Sequence, residues 1–322
     1  MSLKQEVLSA LEANRDKDLS GQELAERFGV SRSAVWKVVN GLKKDGYEIL
    51  SGTNKGYRLA QSSDMLSAEG IRQHLNKNLQ SSSVFVFKEL DSTSNEGKRM
   101  LANGFTGEAM IASEGQSDGR GRYGRFFYSP GRTGLYLTFL LQINASLSDA
   151  TSLTAGAAVA AVRAIRALTG KEAWIKWVND IFLNGRKIGG ILTEAVSDFE
   201  TGMVQSVLVG IGLNVTTVDF PEELQEIAGS LGPSCITRSR LAAEIANQLL
   251  PFAKDLSSKG YLSDYRRYSM VLGEPIEYTR DGKTFSGTAV SIGDDFGLTV
   301  VRDDGQREIL RSGEVHITRM LS

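Results

Sequence analysis

The chain has 322 residues, 41% hydrophobic and 23% charged, with a formal net charge of −1, the profile of a soluble globular protein with room for more than one domain. That near-neutral balance excludes nucleic-acid binding as a property of the whole surface and leaves it to a local patch. A single cysteine, Cys235, excludes an intramolecular disulfide, and with only His74 and His316, far apart in sequence, to supply imidazole, a zinc centre or a serine–histidine triad is poorly supported.

The N-terminus reads as a charged amphipathic helix and not as a signal peptide. No apolar run approaches the ~20 residues of a membrane span, so the cytoplasm is the expected location. Val7, Leu8 and Leu11 stand at helical spacing within residues 4–13. Ser20-Gly21-Gln22-Glu23 fits a capping box, in which Ser20 and Glu23 satisfy each other's orphan N–H groups. It opens a second helix bearing Leu24, Ala25 and Phe28, which Gly29 stops; Ser31 caps a third after Val30 alone. Helix, short glycine turn and capped helix form the helix-turn-helix pattern.

In the third helix Val35, Val38 or Val39, and Leu42 face inward, leaving Arg32, Ser33, Trp36, Lys37 and Asn40 outside, with Lys43 and Lys44 near its end. Tyr47–Leu50 and Gly56–Leu59 flank Ser51–Lys55, a hairpin with a basic tip that reads as the wing of a winged helix. Residues 1–30 hold four basic and six acidic side chains, whereas residues 31–58 hold six basic and two acidic. Positive charge is therefore concentrated where phosphates would be met, and Arg32, Ser33, Trp36, Lys37, Asn40, Lys43 and Lys55 are candidate DNA contacts. Winged helices also dock proteins, with such lysines as a solvated face. Residues 60–66 read as a linker.

Val84–Phe87 reads as a strand, followed by Asp91-Ser92-Thr93-Ser94-Asn95 opening a helix, where the hydroxyls would cap the helix or touch a ligand. Met110–Ser113 is a second strand. It leads into Gln116-Ser117-Asp118-Gly119-Arg120-Gly121-Arg122-Tyr123-Gly124-Arg125, where glycines alternate with arginines. Such a loop is open to a nucleotide phosphate, because its N–H groups can form an anion-holding concavity and arginine adds a permanently charged planar fork. The same spacing also occurs in solvated surface loops. Leu135–Leu140 continues the sheet, and an alanine-rich helix follows from about Asp149 to Leu168. Trp174–Ile181 reads as a strand ending in a polar turn. The glycine-interrupted strands from Lys187 and over Val207–Val215 suggest a sheet cut away to hold a flat ligand. Ser239–Leu256 and Tyr261–Tyr268 read as helices. Pro275–Arg280, Thr284–Ile292, Leu298–Arg302 and Arg307–Leu310 read as short strands.

Gly119–Arg125, Lys176–Asp180, Lys187–Leu192 and Gly210–Asn214 resemble the GRGRxGR loop, KWPND turn, KxGGIL strand and GIGLN strand of the biotin–protein ligases, in that family's order. With the winged helix, the chain is similar over essentially its whole length to the bifunctional branch, ligase and biotin-responsive repressor in one polypeptide. It departs at Val178, where the family usually has proline, and at Phe126-Phe127, where some relatives carry tryptophan. The resemblance implies an α+β chain: a winged helix over 1–62, a class II synthetase-like ligase domain with a mixed sheet over 66–270, and an SH3-like barrel over 271–322. It implies ATP, biotin and Mg²⁺ as ligands, and a biotin carboxyl carrier protein of acetyl-CoA carboxylase, operator DNA and, in the adenylate-bound state, a second copy as partners.

By the same resemblance Ser92, Thr93, Ser94, Gln116, Gly119, Arg120, Gly121, Arg122 and Lys187 would contact biotin. Arg120, Arg122, Phe127, Asn179 and Lys187 would contact the nucleotide. Arg122, Lys187 and Asp180 are the catalytic candidates, Asp180 orienting either the metal or the incoming amine. Arg311 and Arg319 are surface charges that could reach the nucleotide. Trp174 and Trp177 could be core, and Glu194 could face solvent. A ligand-sensing repressor with a decayed enzyme site and a lipoate or octanoate ligase are the alternative functions.

Overall fold

The computed structural model describes residues 2–52, 55–142, 147–197, 204–233, 236–256, 260–280 and 282–318. Asn54 of the wing tip, Cys235 and Arg319 lie outside the described residues.

Helices α1 (Leu3–Glu12), α2 (Gly21–Phe28) and α3 (Arg32–Asp45) bury Val7, Leu11, Leu24, Val35, Val39 and Leu42 in a cluster of their own. Gly29 and Gly46 end α2 and α3 in the left-handed region, where glycine alone lacks a steric penalty. The capping box expected at Ser20 is half formed: Ser20 Oγ accepts from the Glu23 N–H at 2.9 Å, while the exposed Glu23 carboxylate stays in water. A full box closes instead at Ser2, whose partner is the neutral Gln5. β1 (Ile49–Gly52) pairs antiparallel with β2 (Gly56–Leu59) to make the wing.

The linker is held and not loose. The Leu66 N–H donates to Glu114 Oε1 at 2.7 Å, and Arg238 reaches Asp64 Oδ2 at 2.9 Å and Glu114 Oε2 at 2.6 Å. Beyond it, α4 (Ala68–His74) packs on α1 and on the later helix α7 (Arg238–Lys254), joining the two domains.

The central domain comprises β3 (Ser83–Phe87), α5 (Thr93–Ala102), β4 (Ala109–Ser113), β5 (Gly134–Leu141), α6 (Leu147–Thr169), β6 (Trp174–Lys176), β7 (Asp180–Leu183), β8 (Arg186–Ser197), β9 (Val204–Asn214), α7 (Arg238–Lys254) and α8 (Gly260–Arg267). Its seven strands run in the order β3-β4-β5-β9-β8-β7-β6, parallel at β3–β4 and antiparallel elsewhere. Alternation along β5 decides the layers. Leu135, Leu137, Phe139 and Leu141 join the main core with α6 and α7, while Leu140 packs beside Met100 and Leu101 of α5. Small residues let α6 approach closely, and Gly156 meets the Phe252 ring of α7 with no room for a Cβ. The strand expected from Trp174 does end in its polar turn, and the chain then continues as β7, so that the segment is a hairpin with Lys176 opposite Asp180. The chain turns because Trp177 enters the core and donates Nε1–H to Phe296 O at 2.9 Å; the Trp177–Val178 peptide is cis.

At the C-terminal end β10 (Pro275–Arg280), β11 (Lys283–Ile292), β12 (Leu298–Arg302), β13 (Arg307–Leu310) and β14 (Val315–Ile317) form a five-stranded antiparallel sheet, ordered β13-β12-β11-β10-β14. The short β14 escaped the sequence reading because three residues, though they alternate, are too short a run to mark a strand. Phe296 and Leu298 share the main core with Trp177 and Tyr265, so this sheet continues the core of the central domain, whereas the winged helix has its own.

Candidate active site

The site lies on the α5 face of the sheet. Ser92 caps α5, its Oγ accepting from the Ser94 N–H at 3.2 Å. The next N–H, that of Thr93, donates to Gln116 Oε1 at 2.8 Å, and the Thr93 hydroxyl lies 3.2 Å from the same oxygen. Thr138 Oγ1 on β5 donates to Thr93 Oγ1 at 2.8 Å and lies 3.2 Å from Ser94 Oγ. Gln116 Nε2 donates to Ser129 Oγ at 3.0 Å, and Ser129 Oγ donates in turn to Phe127 O at 2.8 Å. Ser92, Thr93 and Ser94 are nearly fully buried. The result is a neutral polar pocket whose members fix one another, with Gln116 as its bridge.

The glycine–arginine loop folds back on itself. The Phe127 N–H donates to Gly119 O at 2.8 Å and the Gly121 N–H to Arg125 O at 2.8 Å. A Cβ on Gly119 would sit 2.4 Å from Phe127 O and 2.5 Å from Ser129 Oγ, so only glycine fits there. Arg122 points inward: its Nη1 donates to Asn179 Oδ1 at 3.0 Å and to Gly313 O at 3.2 Å, and its Nη2 to the Tyr123 hydroxyl at 3.1 Å. Arg120 turns outward to Asp118 at 3.5 Å, half-exposed, and so stands apart from Arg122.

The β6–β7 turn brings the second cation in. Lys187 Nζ pairs with Asp180 Oδ1 at 2.8 Å. Asn179 is clamped by the Ile191 backbone, donating Nδ2–H to Ile191 O at 3.0 Å and accepting the Ile191 N–H on its carbonyl at 2.9 Å. Asp180 faces Gly190 in the ladder, and the bare glycine leaves space over Asp180 Oδ1 and the Lys187 stem. Nearby, burial lowers the pKa of Lys176; Asp180 opposes that shift, Lys187 adds to it and Glu314 opposes it. The arrangement thus presents Arg122 and Lys187 on either side of Asn179 and Asp180, next to a neutral hydroxyl–amide pocket. Such a pair of cations can bring two anions together.

A family pattern for biotin/lipoate A/B protein ligases matches residues 86–214, and one for a helix-turn-helix domain matches residues 4–58. The bifunctional ligase/repressor BirA of Bacillus subtilis is 32% identical over 316 residues, 96% of this chain and 97% of that protein. The chain belongs to this ligase family. The BirA protein of Escherichia coli is 28% identical over 92% of each chain. The biotin protein ligase from Aquifex aeolicus in complex with biotin and ATP superposes with a TM-score of 0.61 at 23% identity, covering 73% of this chain and 97% of that one, which speaks to the fold.

Several expectations from the sequence change in detail, and others hold. The glycine clearing is filled from within: the Phe127 ring lies against Gly212, where a Cβ would come within 2.6 Å of it, and packs edge-on to Tyr136. Glu194 is no solvent-facing strand end, since it pairs with Lys98 at 2.7 Å across the α5 face. Arg311 is engaged by Asp295. Trp177 is core, while Trp174 is partly exposed under Arg166. On α3, Arg32, Ser33, Trp36 and Lys37 are exposed, but Lys43 turns to the wing and donates to Ser51 Oγ at 2.7 Å. The sequence reading missed Thr138, Ser129, Gly313 and Glu314, the last pairing with Arg125 at 2.7 Å. A lone threonine inside the apolar run Leu135–Leu141 was a usable signal for Thr138. Gly313 and Glu314 reach the site only through the tertiary fold.

Proposed function

We propose that the protein is an ATP-dependent biotin–protein ligase that also represses biotin genes by binding operator DNA through residues 1–62. The observation that carries the enzymatic reading is the convergence of Arg122 and Lys187 on the Asn179–Asp180 turn beside the Gln116 pocket. In the first step a carboxylate oxygen of biotin attacks the α-phosphorus of ATP and pyrophosphate leaves with its bonding pair, giving biotinyl-5′-AMP. Both reactants are anions, so the barrier is largely electrostatic and positional. Arg122 and Lys187 meet that charge, and Asp180 and Asn179 hold the two cations until the substrates displace them. Ser92, Thr93, Ser94, Gln116 and the Gly119–Arg122 backbone suit the uncharged cyclic urea of biotin, which needs donors and acceptors without charge.

Phe127 offers an aromatic face for adenine once it leaves Gly212, and Arg120 is near enough in the loop to join the phosphates when its weak contact to Asp118 breaks. In the second step the ε-amine of a lysine on a biotin carboxyl carrier protein attacks the acyl carbon, AMP departs and the amine loses a proton. The mixed anhydride is already activated, so no side-chain nucleophile is required. Mg²⁺ enters with ATP as part of the substrate. Among the described residues no group of three histidine, cysteine or acidic side chains could hold a metal. No helix among the described residues is long and apolar enough to cross a membrane.

Mixing the purified protein with biotin, ATP and Mg²⁺ should release pyrophosphate and leave biotinyl-AMP bound, with lipoate as the competing acid. Turnover with lipoate alone, or none at all, would overturn the biotin reading. For regulation, adenylate binding is expected to favour a homodimer that matches a two-fold operator, to the extent that the adenylate binds the dimer more tightly. Sedimentation unchanged by biotinyl-AMP would exclude that link.

A further inference from the structure

Trp36 stands 57% exposed in the middle of the outer face of α3, with Arg32 and Ser33 one turn before it and Asn40 one turn after. A tryptophan ring carries ~150–250 Å² that favours burial, and tryptophan is rarely left in water without a partner. Among the described residues its indole has no hydrogen bond, stacked ring or cation, in contrast to Trp177 in the core and Trp174 under Arg166. The cations around it are equally unengaged: Arg32, Lys37, Lys44 and Lys55 make no ion pair among the described residues, whereas Lys4 and Arg58 of the same domain do. The wing is fixed beside this face through Lys43 and Ser51.

An apolar ring at the centre of a rim of free cations matches the floor of a major groove between two phosphate backbones. The one apolar group that the groove presents is the 5-methyl of thymine. A protein partner would be met by a broader apolar surface, but the only other large apolar side chain exposed among the described residues of this domain is Leu50 on the wing.

We propose that Trp36 is a specificity-determining residue of the DNA-reading domain, its indole packing on the 5-methyl group of a thymine in each half-site. The inference rests on the DNA-binding reading and sharpens it from phosphate attraction to base choice. Arg32, Lys37, Lys44 and Lys55 supply affinity common to all sequences, and Trp36 selects.

The test takes the full chain charged with biotin and ATP and selects duplexes from a random-sequence library. Each thymine of the selected duplex is then replaced in turn by deoxyuridine, which differs only in lacking the methyl, and binding is read by fluorescence anisotropy. One or two positions per half-site should weaken about fourfold on replacement, the equivalent of ~0.8 kcal/mol for one buried methyl. In Trp36→Ala that position-specific loss should vanish while the salt dependence of binding, set by the lysines and arginine, is kept. Deoxyuridine tolerated everywhere by the wild type overturns the inference and leaves DNA binding standing. Equal sensitivity in Trp36→Ala overturns it as well, as does a Trp36→Ala change that alters self-association and not base preference. Failure of the wild type to select any sequence removes the DNA-binding reading and the inference together.

Discussion

Arg122 and Lys187 share a task but are held differently, and the difference can be measured. Arg122 is anchored by Asn179, Gly313 and Tyr123, whereas Lys187 is ion-paired with Asp180. Replacing either by alanine should lower adenylation by ~10²–10³-fold, the usual loss when one preorganised charge is removed from a transition state. Arg122→Lys should recover little, because an ammonium cannot serve three acceptors in a planar fork; pyrophosphate release at saturating ATP reads both. Lys176 gives a pH prediction. Its folded pKa is lowered by burial, so the unfolded chain binds the extra proton more readily. Stability should therefore rise with pH between the folded value and the ordinary lysine value, and be lowest, for this group, below both. Lys176→Met should be stabilising in urea melts at pH 7, and the gain should shrink as the pH approaches 10. These residues were visible in the sequence because charge and glycine recur there in four motifs. Gly313 was not, since a loop carbonyl acts through position and not through type, while Thr138 left a single mark, a lone hydroxyl in an apolar run.

At the level of elements, periodicity served best where an element has one buried face. α1, α3, β10 and β12 were legible for that reason, and the inward residues that spacing picks out on α1 and α3 are core residues. It served worst at the β6–β7 hairpin. There Trp177 and Val178 are buried and adjacent, so alternation is lost and β7 beyond the polar turn goes unread. Close packing of α6 on α7 also leaves a sequence mark, because glycine stands in an alanine-rich helix where alanine would favour helix by ~1 kcal/mol. A Cβ at Gly156 would lie 2.1 Å from Phe252 Cε1. Gly156→Ala should therefore destabilise by about 1–3 kcal/mol despite its better helix propensity, seen as a lower urea midpoint. Pairing it with Phe252→Leu should recover part of the loss, whereas a helix-propensity effect alone would make the single change stabilising.

For the molecule as a whole, the decisive contact is one that composition could not reveal. Arg238 is 1% exposed at the first turn of α7, and it binds Asp64 of the linker and Glu114 at the end of β4 together. Glu114 also accepts the Leu66 N–H, and its own carbonyl accepts the Arg132 N–H at 2.9 Å. Two residues further on, Gln116 bridges the polar pocket. The linker that follows the winged helix, the core helix α7 and the end of β4 that leads to the pocket thus meet at one guanidinium. Arg238→Met removes the cation and strands the Glu114 carboxylate, whose side chain is 7% exposed. Breaking a buried pair in this way costs ~3–5 kcal/mol. Adding Glu114→Gln takes away the uncompensated charge, so the double variant should be more stable than the single one though below wild type. The KM for biotin in adenylation should rise in the single variant and fall back in the double. A structural defect unrelated to the pocket would lower stability with KM unmoved, and an arginine that merely fills space would give single and double variants of equal stability.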